Sequence, residues 1–477
     1  MKRVSALLIV LLCTYIASAQ ERPNVLFILI DDLRPELGCY GSPVAVTPNL
    51  DALASEGLLF ERAYCNFAVC GASRASMLSG MYPLPRKRFT SYKTWLKDDA
   101  PSVKTLPQVF KEAGYTTVSN GKVFHHATDT ESRSWSEPAW KPSGGKERGI
   151  DAQLPETNAK LSDRGRGYIV EKANVPDNAY EDGKLAEKVI ADLVRLKGKD
   201  KPFFLTCGFI KPHLPFYAPK DYWDLYDDNK LALANNRYFP HNAPKDELRG
   251  STEYASYYLG NLEVGSEEWH RTMKHGYLAC TSYVDALAGK VMKELNELDL
   301  DKNTIVVVWG DHGFHLGEHD FWGKHNTMDH STRIPLIIRL PESMRKQASK
   351  GVKTQAMVES VDIFPTLCGL AGLDVPQSVQ GRSFEQLFVN PNQPFRSSIY
   401  TRRGNGDTVI TDEFAYTRYT DRNGRQTANM LYDHRTDRAE NTNVVDNPMY
   451  ANSVHQLDQL LNRRMKEALE TEHLQNP

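Results

Sequence analysis

Two pairs of residues that follow apolar stretches have the chemistry of a metal site. Asp31-Asp32 follow the run Asn24–Ile30, and Asp311-His312 follow the run Thr304–Trp309 and one glycine. The first pair alone is typical of a solvated turn after a strand. Three carboxylates and one imidazole together provide hard oxygen ligands plus one nitrogen, which suits Ca²⁺ or Mg²⁺ better than zinc. Because clustered like charges are costly without a cation, the four residues predict a divalent metal site.

Zinc is the alternative, because the stretch around Asp311 is rich in histidine. GDHGFHLGEHDFWGKHNTMDH contains His312, His315, His319, His325 and His330. The spacing differs from that of an HExxH helix, and the glycines favour a loop that approaches a ligand closely. We expect some of these side chains, His319 and His330 above all, to be structural hydrogen-bonding groups.

Cationic and proton-transferring side chains lie in several other short motifs. They are Lys122 and His125 in NGKVFHH, His213 in KPHLPF, Lys324 in WGKH, and Arg74 in CGASR. Any one of them alone is more commonly a surface or capping residue. Together, on loops at strand ends, they could form a pocket for a small tetrahedral anion beside the divalent cation.

Cys70 lies five residues after Cys65, in CNFAVCGASRASMLSG. A disulfide, a metal ligand and a reactive group are the three possibilities for this pair. Two cysteines with no second pair nearby make a poor zinc site, and a disulfide at this spacing requires a suitable bend of the backbone. The residue types alone leave the choice open.

Short strands and longer helices must position these residues. Further apolar runs of strand length occur at Thr116–Ser119, Phe203–Gly208 and Pro335–Leu340. Helical patterns lie between the strands at Thr105–Ala113, Asp182–Leu196, Tyr277–Leu298 and Val358–Leu370. This alternation predicts an α/β fold with a large, mostly parallel central sheet flanked by helices. Ligands of such sheets bind beyond the carboxyl ends of the strands, so distant motifs would meet at one edge.

The local composition changes along the chain and predicts its division into domains. Residues 128–177 and 217–266 are polar and predict long insertions over the edge of the sheet. After about Asn390 short strand patterns alternate with polar turns, at Ser398–Arg402, Phe414–Tyr419 and Met430–Tyr432. We therefore expect a catalytic domain over residues 20–390 and, over residues 391–477, a smaller α+β subdomain with a short antiparallel sheet.

The first residues have the pattern of a secretory signal peptide. Lys2 and Arg3 precede an apolar stretch, and Ala17-Ser18-Ala19 provides a cleavage site, so residues 1–19 are expected to be removed on export to the periplasm or medium. No other stretch reaches the roughly 18 apolar residues of a membrane span. With 58 Lys+Arg against 60 Asp+Glu, the composition excludes a surface built to coat nucleic acid. The cysteines are too few for a disulfide scaffold.

These motifs resemble those of the type I, formylglycine-dependent sulfatases of the alkaline phosphatase superfamily. The family signature Cys-x-Pro/Ala-x-Arg is represented by Cys70-Gly71-Ala72-Ser73-Arg74, with alanine at the position where proline is commoner. Further segments follow in family order: NVLFILIDDLRPELGCYG, TPNLDALASEGLLFERAY, GYTTVSNGKVFHH, GFIKPHLPF, VVWGDHGFHLGEHDFWGKH, VDIFPTLCGLAGL and LYDHRTDRAENTNV. The resemblance covers essentially the whole mature chain, and KPHLPF, GKVFH and DHGFHLGEH are most similar to the iduronate-2-sulfatase-like branch and its bacterial members.

The resemblance implies an alkaline phosphatase-like fold and a modified nucleophile. Cys70 would be converted to formylglycine by a formylglycine-generating or anaerobic sulfatase-maturating enzyme, and the hydrate would attack the sulfur of a sulfate ester. Asp31, Asp32, Asp311 and His312 match the family's ligands of one Ca²⁺, with the modified Cys70 completing the shell.

The resemblance also implies roles for the cationic residues. Arg74 would orient the hydrate, Lys122 and His125 would contact the nucleophile and the sulfate, and His213 and Lys324 would bind sulfate and protonate the leaving oxygen. Candidates for contacting the sugar are Arg86, Arg88, His315, Trp322 and His325.

The function predicted in this way is hydrolysis of sulfate esters of sulfated carbohydrates. The specific expectation is an exo-acting 2-O-sulfatase on a uronic acid of a glycosaminoglycan or an algal polysaccharide. A phosphatase or phosphonate monoester hydrolase of the same superfamily is one alternative. An inactive carbohydrate-binding descendant is another, although the intact set of catalytic residue types disfavours it.

Overall fold

The computed structural model describes residues 22–142, 151–164, 166–345 and 350–470, and the predicted signal peptide lies outside the described residues. The strands in these ranges are β1 (Asn24–Ile30), β2 (Leu58–Phe60), β3 (Ala63–Tyr64), β4 (Thr116–Gly121), β5 (Val170–Ala173), β6 (Phe203–Phe209), β7 (Phe216–Pro219), β8 (Thr304–Gly310), β9 (His315–Leu316), β10 (Trp322–Gly323), β11 (Arg333–Ile334), β12 (Leu336–Arg339), β13 (Val352–Thr354), β14 (Val358–Glu359), β15 (Ile399–Arg403), β16 (Gly406–Ile410), β17 (Phe414–Thr420) and β18 (Gln426–Asp433).

The helices of the same ranges are α1 (Pro48–Glu56), α2 (Cys70–Ser79), α3 (Leu96–Asp99), α4 (Leu106–Glu112), α5 (Glu131–Ser134), α6 (Pro155–Arg164), α7 (Glu181–Lys197), α8 (Lys220–Trp223), α9 (Glu267–Glu297), α10 (Asp329–Thr332), α11 (Glu342–Arg345), α12 (Ile363–Leu370), α13 (Gln386–Val389) and α14 (Ala451–Glu470). Among the described residues, no helix combines the length and the apolar character needed to cross a membrane.

A seven-stranded sheet in the order β13-β2-β12-β8-β1-β6-β4 forms the centre of the fold. Strand β1 pairs in parallel with β6 and β8, β4 pairs in parallel with β6, and β13 in parallel with β2. Strand β12 runs antiparallel to both of its neighbours, β2 and β8. The apolar runs of the sequence form β1, β4, β6, β8 and β12, which confirms the α/β fold with a mostly parallel sheet.

Both faces of the sheet are covered, as continuous apolar strands require. Leu26 and Ile28 of β1 pack in one hydrophobic layer with residues of α7 and α9. Val25 and Phe27, which point the other way, pack in a second layer with residues of α2, α4 and α12. The two helical layers therefore hold the ends of the strands rigidly.

Several elements differ from their sequence-based predictions. Strands β2 and β13 have three residues each, too few for a local pattern, and depend on pairing within the sheet. Helix α9 begins at Glu267 rather than near Tyr277, because Ser266 caps it and its first turns are polar. The predicted helix Val358–Leu370 begins as β14, and α12 starts only at Ile363.

The C-terminal part forms a separate four-stranded antiparallel sheet in the order β15-β16-β17-β18. Helix α14 packs against this sheet through an apolar layer that includes Leu457 and Leu461. The predicted strand patterns correspond to β15, β17 and β18, whereas β16, which begins with Gly406-Asp407, lacks an apolar start and was not predicted. The small antiparallel C-terminal sheet is confirmed.

Candidate active site

The carboxyl ends of β1 and β8 bring the predicted metal ligands together. Ile30, the last residue of β1, pairs with Gly310 of β8, so Asp31 and Asp311 follow directly from adjacent positions. The backbone N–H of Asp32 donates to Asp311 Oδ1 over 3.1 Å. Asp31, Asp32 and Asp311 are all completely buried. The parallel pairing thus concentrates three carboxylates at one point of the sheet edge.

Cys70 is the first residue of α2, and its side chain faces this acidic cluster. The ten residues of the helix are all buried. A Cβ atom on Gly71 would lie 2.3 Å from the Tyr92 carbonyl oxygen, so only glycine permits this close approach. Ser73 Oγ donates to the Asp311 carbonyl, which ties the first turn to the end of β8. The partial positive charge of the helix N-terminus therefore lies at Cys70.

The thiols of the two neighbouring cysteines differ in the direction of their pKa shifts. Both are free thiols, and Cys65 belongs to no metal-binding group among the described residues, so neither a disulfide nor a shared metal site joins the two. Burial and the charge of Asp311 raise the pKa of Cys65. Burial also acts to raise the pKa of Cys70, but Lys122 and hydrogen bonds with His125, His213 and His312 bring it well below the usual value. These contacts stabilise an anion at position 70.

Arg74 and Lys122 compensate the buried carboxylates. The Nε of Arg74 donates to Asp311 Oδ2 over 2.8 Å, and its Nη2 lies 3.3 Å from Asp31 Oδ1. Lys122 Nζ forms an ion pair with Asp31, and Arg74 Nη1 donates to the Lys122 carbonyl. Arg74 is completely buried and Lys122 nearly so. The two cations therefore connect α2 and the end of β4 to the acidic cluster.

His213, Lys324 and Asp32 form the opposite wall, together with a residue that the sequence analysis missed. Lys324 Nζ contacts both Asp32 carboxylate oxygens at 2.7 and 2.9 Å. Glu253 Oε2 lies 3.1 Å from Lys324 Nζ, and Glu253 Oε1 lies 3.3 Å from His213 Nε2. Glu253 belongs to the long insertion 217–266, where a single glutamate among polar residues has no distinguishing signal.

The donor atoms fit a divalent cation. One ligand atom each from Asp31, Cys70, Asp311 and His312 lie within 4.8 Å of one another. His312 Nδ1 donates to the Gly313 carbonyl over 3.0 Å, so its buried Nε2 faces the cluster, 3.4 Å from Asp32 Oδ1. Burial and the charge of Asp31 raise the pKa of Asp311 to about 7. A cation bound here would take the Nε2 nitrogen of His312 as a ligand and stabilise the ionised carboxylates.

Two of the other predicted site residues, His125 and His325, lie at the outer side of the cluster. His125 is half-buried and lies beside the exposed Tyr92, with 6.2 Å between the ring centroids. His325 is also half-buried, and its backbone has φ +92°, a left-handed conformation that is uncommon for a residue with a side chain. Such strain is characteristic of functional loops.

The remaining sugar-contact candidates make their contacts elsewhere. His315 is completely buried and bonds Asn326 through Nε2, and Trp322 donates its Nε1–H to His270 Nδ1 over 3.1 Å. Arg86 donates to the carbonyls of the β17–β18 turn, at Asp421 and Arg422. Arg88 is 4 % exposed and donates to the Tyr82 carbonyl. Each of these four residues thus has a local structural partner.

Comparison with known proteins identifies the family of the chain. Residues 23–373 match the Sulfatase family, and residues 317–467 match the family described as N-sulphoglucosamine sulphohydrolase, C-terminal. The chain is 35% identical to the iduronate 2-sulfatase of Mus musculus over 420 residues, which is 80% of this chain and 74% of the relative.

Two solved structures share the fold over nearly the whole chain. A protein in complex with its substrate D-glucosamine-2-N,6-O-disulfate has a TM-score of 0.73 at 22% identity, covering 94% of this chain and 99% of the other. A phosphonate monoester hydrolase from Silicibacter pomeroyi has a TM-score of 0.71 at 25% identity, covering 94% and 96%. Both the sequence and the fold therefore assign the chain to one family: it belongs to the sulfatases of the alkaline phosphatase superfamily, which are sulfuric ester hydrolases.

Proposed function

We propose that this protein is an exported sulfatase that removes sulfate from sulfated oligosaccharides. Its specific reaction is exo-acting hydrolysis of the 2-O-sulfate of a uronic acid from a glycosaminoglycan or an algal polysaccharide. The observation that carries the proposal is the position of Cys70, at the N-terminus of α2, beside three carboxylates and in contact with three histidines. The similarity to an iduronate 2-sulfatase supports the choice of substrate.

Two groups that the chain must acquire complete the site. A maturation enzyme converts Cys70 to formylglycine, which supplies an oxygen nucleophile in its hydrated form. Asp31, Asp32, Asp311, His312 and residue 70 would hold Ca²⁺, which would supply positive charge for the nucleophile and the sulfate.

The chain's own residues then act on the ester from two sides. Arg74 and Lys122 neutralise negative charge beside residue 70, and His125, in contact with the same group, accepts its proton. His213 and Lys324, on the opposite wall, bind the sulfate and donate a proton to the leaving sugar oxygen. Glu253 contacts both proton donors and holds them at this position.

Mass spectrometry tests the modification. Protein produced together with a maturation enzyme is digested, and the peptide spanning Cys70 is expected to contain an aldehyde in place of the thiol. Active protein in which that peptide contains only an unmodified thiol would contradict the proposal.

A panel of defined sulfated di- and oligosaccharides tests the substrate. We expect loss of the 2-O-sulfate from a uronic acid at the non-reducing end, and no loss from the same sugar inside a chain. Preferential loss of a 6-O- or N-sulfate from a hexosamine would contradict the uronic acid as substrate. It would still agree with sulfatase activity.

Hydrolysis of a phosphonate or phosphate monoester is the second candidate, since a phosphonate monoester hydrolase has the same fold. Aryl sulfate, aryl phosphate and aryl phosphonate with one common leaving group separate the two activities. We expect the highest kcat/KM for the sulfate, and a clearly higher value for either phosphorus ester would favour the second candidate.

Export can be tested by N-terminal sequencing of the protein made from the full-length gene. Cleavage of the signal peptide predicts a mature chain that begins at Gln20 in the periplasm or medium. Retention of Met1 in the cell would exclude this part of the proposal.

A further inference from the structure

The C-terminal sheet contacts two of the segments that flank proposed catalytic residues. Strand β15 contacts the loop before Cys70, where Arg402 N donates to the Asn66 carbonyl over 3.1 Å. Strand β17 contacts the loop after Lys324, where the hydroxyls of Thr417 and Thr327 are 3.2 Å apart. The last residue of β15 is Arg403, which lies beside Phe67 of the segment that leads to Cys70.

Two consecutive arginines at this end of β15 both lie near the Phe67 ring, at 5.9 Å for Arg402 and 5.8 Å for Arg403, but differ in their polar partners. Arg402 is paired: its Nε lies 2.8 Å from Asp407 Oδ1, and its Nη2 donates to the Gly404 carbonyl. Arg403 has a buried Nε without a hydrogen-bond partner, and none of the described carboxylates forms an ion pair with it. Its guanidinium carbon lies 5.8 Å from the centre of the Phe67 ring, three positions before Cys70.

An unpaired guanidinium in such a position is costly for folding. Burial lowers the pKa of Arg403, and the charge of Arg402 adds to this effect. Arginine is rarely buried without an anion, because the lost hydration is not replaced. A cation that is kept half-buried and unpaired next to an active site is therefore available for an anion that arrives with the substrate.

His325 provides a second polar group for the same anion. It follows Lys324 directly and is turned by its positive φ. Burial lowers its pKa to about 3, and the charges of Lys324 and Arg403 contribute, so the imidazole is neutral and able to donate one hydrogen bond. Arg403 is thus close enough to His325 to influence it electrostatically.

We propose that Arg403 and His325 form a second anion site, which binds the carboxylate of the sulfated uronic acid while its sulfate occupies the site at Cys70. This inference rests on the proposed sulfatase function and specifies its substrate. The planar guanidinium matches a carboxylate in a two-point contact, which a neutral sugar cannot form. A second sulfate on a hexosamine has the same charge, and the test separates these two sources.

The decisive experiment measures kcat and KM of Arg403→Gln on three substrates. They are a disaccharide with a non-reducing 2-O-sulfated uronic acid, the same disaccharide with the carboxylate reduced to an alcohol, and a disulfated glucosamine. We expect KM for the uronate to rise about 10- to 100-fold, the loss associated with one charged hydrogen-bonded contact. The parent protein and Arg403→Gln are expected to have the same KM for the carboxyl-reduced substrate. Arg403→Lys retains the charge but not the planar guanidinium, so its KM for the uronate should lie between those of the parent protein and Arg403→Gln.

Arg425→Gln is the matched control. Arg425 is exposed in the turn before β18 of the same sheet, and the substitution should leave all three substrates unaffected. Thermal unfolding of each variant shows that it is folded. Equal KM changes for the uronate and its reduced form, or a change only for the disulfated glucosamine, would overturn the carboxylate site. Failure of the parent protein to hydrolyse any sulfate ester would instead overturn the proposed function.

Discussion

The catalytic cluster at the sheet edge and an ion-pair cluster beneath the C-terminal sheet are both buried and strongly charged, but only the second is internally balanced. In this second group, the docking cluster, Arg464 Nη2 lies 2.9 Å from Glu359 Oε1, and Arg396 Nε donates to Asp362 Oδ2 over 2.8 Å. Tyr82 donates its hydroxyl hydrogen to Glu359. These contacts join α14 to Tyr82 and to Glu359 of β14.

The catalytic cluster retains unmatched groups. Burial and the charge of Asp31 raise the pKa of Asp311 to about 7, and against the effect of burial Lys122 brings the pKa of Cys70 well below its usual value. Buried charge alone is therefore no indication of function, since the docking cluster also contains four buried charged side chains, Arg396, Arg464, Glu359 and Asp362. The imbalance, which a cation and an anionic substrate would correct, distinguishes the site.

The largest expected effect is that of Cys70→Ala, which removes the nucleophile but leaves the docking cluster intact. Turnover of aryl sulfate should fall by about a millionfold, the scale found for loss of a catalytic nucleophile. The melting temperature should change little, since α2 retains its packing. Cys65→Ala is the control, and its turnover should stay near that of the parent protein. Measurable turnover by Cys70→Ala would exclude residue 70 as the nucleophile.

The converse change is Arg464→Met, which unbalances the docking cluster. Leaving Glu359 buried with one cation fewer should reduce the free energy of unfolding by about 3–5 kcal/mol, measured by urea denaturation. The kcat of the folded fraction should remain unchanged. Arg418→Met is the matched control. Arg418 of β17 forms an ion pair with Asp458, which lies on α14 like Arg464, and this pair is partly exposed and contributes about 1 kcal/mol or less. Similar losses in both variants would contradict the distinction between buried and exposed pairs.

Calcium removal should act on the catalytic cluster alone. A chelator is expected to abolish activity and lower the melting temperature, because Asp31, Asp32 and Asp311 then lie together without their cation. Adding Ca²⁺ at a hundredfold excess over its Kd should restore about 2.7 kcal/mol of stability. Calorimetry with and without calcium measures this, and activity that survives complete chelation would exclude the metal assignment.

The smallest expected effect is on the free energy of unfolding at acidic pH. Burial acts to raise the pKa of Glu359, but Arg396 and Arg464 more than offset it, so the pKa lies below its ordinary value of 4.5. Because the folded protein binds this proton less readily than the unfolded chain, the stabilisation is complete above pH 4.5 and is lost as the pH falls further. Glu359→Gln should therefore lose less stability than the parent protein on acidification, in parallel urea titrations.

The strand ends and the signature around Cys70 were predictable because both are local patterns. Continuous apolar runs indicate burial on both faces. Asp31 and Asp311 come directly after β1 and β8, and His213 lies four residues after the end of β6. Arg86 and Arg88 illustrate the limit of the same reasoning. A basic run indicates charge but not where the side chains point. In the structure Arg86 donates to the Arg422 carbonyl of the β17–β18 turn, and Arg88 donates to the Tyr82 carbonyl.

The sequence by itself determined the fold class, the family resemblance and the identity of the nucleophile candidate, since each depends on residues close together in the chain. Only the tertiary structure decided which distant residues surround that candidate. Glu253 comes from a long insertion and Arg403 from the end of β15 in the C-terminal sheet, and neither has a motif of its own. Their placement depends on loops and sheets that pack across hundreds of residues, where local periodicity carries no information about contact.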